Sequence, residues 1–84
     1  MTCNVSIEQE VLELIVERTA QIFSKDVSEL SADTAFAELG AKSADGVQVT
    51  MALEDEYDIQ VPFMKFARAK TLGEAAEFVA DLLA

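Results

Sequence analysis

Apolar residues return every three or four positions in several stretches of this chain, and no stretch reads as a strand. In the first stretch, Ile7, Val11, Leu14, Ile15 and Ile22 share one side while Glu8, Glu10, Glu13 and Glu17 point the other way. Ser6-Ile7-Glu8-Gln9 reads as a capping box, so the spacing predicts a first helix from about Ile7 to Phe23. A second helix is predicted over Ala44 to Tyr57, and it carries two stripes. Val49, Leu53 and Tyr57 form one; Ala44, Val47 and Met51 form the other, nearly opposite. A bundle helix needs one stripe for its core, so the second is extra burial or a surface for a partner. Pro62 marks a boundary, after which Phe63 to Ala69 can form a short third helix. Thr71-Leu72-Gly73-Glu74 is a second capping box, opening a last helix with Leu72, Ala75, Ala76, Val79, Leu82 and Leu83 inward. The expected fold is all-α, a small four-helix bundle with one short helix.

Between the first two helices, Ser24 to Lys42 lacks sustained periodicity. A connection of about 19 residues is long for a small domain and has to be anchored or functional. Val27, Leu30, Phe36 and Leu39 are the expected anchors. Phe63, Met64 and Phe66 pose a separate question, because neighbours on a helix lie about 100° apart and cannot all face one narrow core stripe. At least one is expected to be exposed or to cover a cavity mouth, with packing of Phe66 on Phe78 as the simpler arrangement.

Composition narrows the function. With 84 residues, 51% of them hydrophobic, the chain suffices for one domain spanning 1–84 and its core. The formal charge of −10 argues against nucleic acid and favours partners with basic surfaces. No acid occurs from Ile59 to Gly73, where Lys65, Arg68 and Lys70 supply three of the six cations. The single Cys3 cannot pair internally, no apolar run is long enough to insert in a membrane, and no leader-like segment is visible. These features lead us to expect a cytoplasmic monomer. The sequon Asn4-Val5-Ser6 is read as fortuitous in that setting.

Ser43 follows a glycine turn and precedes the second helix. A serine nucleophile needs a base, and this chain has no histidine. The carboxylates are scattered without metal-ligand spacing, so no catalytic or metal residues are assigned and no enzyme is expected. Two readings of Ser43 remain. It can be a helix N-cap, which needs no function. It can also be a site of covalent attachment, where a phosphodiester would meet free amides and the positive end of the helix dipole, with Lys42 adding attraction.

The segment from Phe36 to Asp45, followed by Met51-Ala52-Leu53-Glu54-Asp55-Glu56-Tyr57-Asp58-Ile59-Gln60-Val61-Pro62, resembles the acyl carrier protein family. The family pattern is a Leu-Gly pair, an Asp-Ser-Leu triplet, an acidic helix ending in an aromatic residue, and a proline soon after. Thr71-Leu72-Gly73-Glu74 resembles the approach to the family's last helix. By this resemblance Ser43 carries 4′-phosphopantetheine, whose thiol holds acyl intermediates as thioesters, and a phosphopantetheinyl transferase attaches it. Acyl-transferring or condensing enzymes are the other implied partners, in a fatty-acid, lipid or polyketide-type pathway, with the acyl chains sheltering between helices. Lys42 and Ala44 stand where the family has Asp and Leu, Gln48 replaces a usual acid, and the third helix reads Phe63-Met64-Lys65-Phe66. These departures imply a specialised carrier whose partner contacts are expected at Lys42, Ala44, Val47, Met51, Phe63 and Met64. The other reading, from a different class, is an unmodified acidic helical interaction module that binds through Ala44, Val47, Met51 and the Phe63–Phe66 segment.

Overall fold

The computed structural model describes residues 4–84, with side chains from Ile7 onward. Cys3 and the side chains of the sequon and of the Ser6 capping serine lie outside the described residues. Four α-helices follow in order: α1 Asn4–Phe23, α2 Ser43–Tyr57, α3 Phe63–Phe66 and α4 Leu72–Leu83. Helix α1 includes Ser6 in its first turns, so it begins before the expected start at Ile7.

The core is a seam between α1 and α4, closed on one side by α2. Helix α4 buries Leu72, Ala75, Ala76, Val79 and Ala80, the one-face spacing of a helix against a bundle. Leu82, expected inward, is 41% exposed, because the stripe passes through Ala80 and the half-buried Leu83 instead. Three small alanines let α1 approach closely, and Val11, Ile15 and Ala20 pack there. Thr19 continues the same stripe and is fully buried, with no hydrogen-bond partner for its Oγ1 among the described residues. Val49 and Leu53 of α2 are buried and Tyr57 packs at the core's edge, as their stripe predicts.

The long connection is anchored by hydrogen bonds as well as by apolar contacts. Two 3₁₀ turns, Val27–Glu29 and Phe36–Leu39, break it up. The first is capped by Asp26, whose carboxylate accepts from the Ser28 amide at 3.1 Å, while Glu29 accepts from the Asp26 amide at 3.0 Å. Past it, the Phe36 amide donates to Lys70 O and the Leu72 amide to Thr34 O, both at 3.0 Å. That pairing staples the connection to the start of α4. Leu30 is buried, and Phe36 and Leu39 pack on the core. Val27 is not an anchor: it is 51% exposed at the rim of a groove with Leu12 and Val16. The polar cap that forms its turn holds it at the surface.

Helix α3 is shorter than expected, a single turn ending at Phe66. Its start is held from α2, since Glu54 accepts a hydrogen bond from the Val61 amide at 2.8 Å.

Candidate functional site

Gly40 ends the second 3₁₀ turn in the left-handed region, at φ 69°, and sends the chain back toward α2. Ala41 then donates to Phe36 O at 3.2 Å, which fixes the turn ahead of Ser43. Lys42 is the extended N-cap and Ser43 is the first helical residue. The cap therefore works differently from the N-cap reading of Ser43. Asp45, three residues on, accepts from the Lys42 amide at 3.0 Å. A lysine ammonium has no lone pair with which to cap the helix. Ser43 is exposed, and its hydroxyl has no partner among the described residues. It is chemically idle in the fold and sits at the positive end of a helix of 15 residues.

Beside it lies an apolar cleft of about 190 Å³ between the start of α2 and α3, lined by Lys42, Ser43, Gly46, Phe63 and Phe66, with Phe36 and three alanines completing the wall. Gly46 lets the Phe63 ring close against α2 at the cleft wall. A Cβ there would lie 2.8 Å from Phe63 Cε1, closer than real contacts allow. Sequence reasoning passed over this residue, although a glycine inside a helical pattern is the signal of a close approach. Phe66 is buried at 2% exposure and its ring meets Phe36, with centroids 6.2 Å apart and planes at 58°. Phe36 is the ring it meets, because the stapled connection carries Phe36 across to α3, while Phe78 packs against the same core.

Of the expected contact residues, the cleft brings Lys42 and Phe63 together with the expected attachment residue, Ser43. Ala44, Val47 and Met51 lie outside it on the exposed side of α2, Val47 at 37% and Met51 at 60% exposure. Met64 is 79% exposed, which meets the expectation that one of the three α3 side chains stays out of the core. No group of three or more potential metal ligands occurs among the described residues.

The family model described as "Phosphopantetheine attachment site" matches residues 9–79. The chain belongs to the acyl carrier protein family. The matched region is the domain to which 4′-phosphopantetheine is attached in that family. The chain is similar to the chloroplastic acyl carrier protein SF2 of Brassica campestris, 41% identical over 63 residues, covering 75% of this chain and 47% of that protein. A chloroplastic acyl carrier protein of Brassica napus is 36% identical over 77 residues, 90% of this chain and 58% of its own length. The chain thus spans about half the length of the curated relatives it matches. In fold it is similar to a free-standing peptidyl carrier protein from Acinetobacter baumannii, with a TM-score of 0.83 at 18% identity over 92% of this chain and 96% of that one. The HMG-ACPI domain from the CurA module of Lyngbya majuscula superposes with a TM-score of 0.70 at 25% identity, over 96% and 78%. Among the described residues no helix is long and apolar enough to cross a membrane.

Proposed function

We propose that Ser43 is the attachment residue and that residues 1–84 act as one monomeric, cytoplasmic carrier unit dedicated to a particular acyl pathway. The observation that carries the attachment is the unused, exposed hydroxyl on the first residue of α2. The fold does not need it, and a phosphodiester there lies against the free amides of a first helical turn. Lys42 adds a positive charge at the same place. Once attached, the arm supplies a thiol that holds the acyl group as a thioester. The carrier's own residues supply exposure for the attaching enzyme, an anion-friendly root for the arm, and an apolar cleft within reach of that root.

Partners approach the exposed side of α2 and the outer face of α3. Val47, Met51 and Met64 offer the apolar contact, and the two flexible methionines can adapt to differently shaped partner surfaces. The charge around them is divided. Asp55, Glu56 and Asp58 are exposed at the far end of α2, whereas Lys42, Lys65 and Arg68 are exposed near the cleft. A partner therefore needs a basic patch toward the end of α2 and tolerance for cations at its active-site mouth.

The test is the intact mass of the chain after co-expression with a broad phosphopantetheinyl transferase. One added arm is expected, absent in Ser43→Ala. A chain that stays unmodified would leave the interaction-module reading, and an arm on the alanine variant would move the site.

A further inference from the structure

The cleft beside Ser43 is short, and its far wall is fixed. Phe66 is held by the core at 2% exposure, and its ring rests on Phe36 at 6.2 Å. Behind that pair, Leu53, Leu72 and Val79 are fully buried and fill the bundle. An occupant that enters past Ser43 meets the aromatic pair and has no free path between the helices without displacing close-packed side chains. The volume of about 190 Å³ compares with the roughly 150 Å³ apolar cavity that accepts one benzene ring. It has room for about six to eight carbons.

We propose that Phe66, backed by Phe36, sets the length of acyl chain this carrier can shelter, limiting it to about six to eight carbons. Longer chains, stopped at their tips by the far wall, keep their thioester-side methylenes outside the cleft. The carrier thus suits short acyl cargo, or long cargo passed promptly to a partner that covers the exposed part. Phe63 contributes the side wall, seated on Gly46, and the mouth at Lys42 and Ser43 stays open. The proposal rests on attachment at Ser43 and adds to it the class of cargo.

The test loads the protein through a broad phosphopantetheinyl transferase with linear acyl-coenzyme A donors from acetyl to dodecanoyl. Intact mass verifies loading, and the thioester half-life in hydroxylamine is then measured. Each methylene that enters the cleft shifts the sheltered fraction by about fourfold, so protection rises steeply at first. The expected result is a rise from acetyl to about octanoyl and less than about a twofold further gain out to dodecanoyl. Phe66→Leu should move the plateau to longer chains. Ala67→Leu, at an exposed residue of the cleft wall, should lower protection at every length and does not touch the core. Protection that climbs steadily to dodecanoyl, or that ignores length altogether, overturns the proposal. So does a plateau that Phe66→Leu leaves in place in a folded protein, and should that variant unfold, an Ala67→Leu profile matching the unaltered chain does so. A chain that gains no arm refutes the attachment reading instead, and mass alone distinguishes that failure.

Discussion

Ser43 and Thr19 are two hydroxyls with opposite fates. Ser43 is exposed and caps nothing, so Ser43→Ala should change stability by less than about 0.5 kcal/mol in denaturant unfolding. Asp45 performs the capping, through its bond to the Lys42 amide and its place at the positive end of the dipole. Asp45→Ala should therefore cost about 1 kcal/mol, and the contrast between the two variants tests how the site is held. Thr19 is fully buried and its oxygen is unpartnered among the described residues. An unpaired buried hydroxyl costs about 1–3 kcal/mol, and valine has nearly the same shape. Thr19→Val should raise the unfolding free energy by about 1 kcal/mol, read as a higher denaturant midpoint at unchanged slope.

At the level of elements, the helix ends and the outer face of α2 carry the consequences. Helix α1 ends with Ser24 in the left-handed region at φ 55°, a conformation that strains a residue with a Cβ. Ser24→Gly should stabilise the domain by about 1 kcal/mol in the same unfolding measurement. On α2, Met51 is 60% exposed and makes no core contact. Met51→Glu should leave stability within about 0.5 kcal/mol, yet slow arm transfer by a broad phosphopantetheinyl transferase by roughly tenfold. An unchanged transfer rate would remove Met51 from the partner surface. Glu54 shows why the acids of α2 are not one uniform face: its carboxylate is already engaged by the Val61 amide and positions α3.

Over the whole molecule, sixteen carboxylates and six cations share a body with a radius of gyration of 11.7 Å. Their mutual repulsion opposes compaction and is screened by salt, so moderate salt or millimolar magnesium should raise the Tm measured at low ionic strength. A Tm that falls steadily on such additions would count against self-repulsion. Mild acid acts in the same direction by neutralising carboxylates, but only to a point. Hydrogen bonds from Ser28, first its amide and then its hydroxyl, hold the Asp26 carboxyl below its usual 3.8. A depressed acid contributes stability that is present above its unfolded pKa and lost as pH falls through the folded value. Stability should thus turn down below about pH 4, and Asp26→Asn should flatten that limb. At the other extreme, burial first, then Glu10 and Glu56, push the Tyr57 hydroxyl above its usual 10.0. Its contribution is complete below that value and is lost as pH rises through the folded one.

Much of this was legible in the residues themselves. Helical periodicity gave the three long helices to within a few residues, because burial on one face leaves its period in the chain. The glycine turn, the serine and the acidic helix behind them were enough to indicate the family, whose model spans 9–79. Local pattern also required one of Phe63, Met64 and Phe66 to stand outside the core, and Met64 does. Tertiary structure decided what depends on distant partners. That Ser43 caps nothing follows from a helix that starts one residue earlier, with the Lys42 carbonyl accepting the Asp45 and Gly46 amides at 3.0 and 3.1 Å, a start that spacing leaves open. That Phe66 meets Phe36 follows from the Phe36–Lys70 hydrogen bond, which closes a gap of more than 30 residues in sequence. Periodicity records which face of an element is buried, whereas which side chains share a cleft depends on how the elements meet. The cleft beside Ser43 therefore exists only in the folded chain, where Gly46 lets Phe63 approach α2.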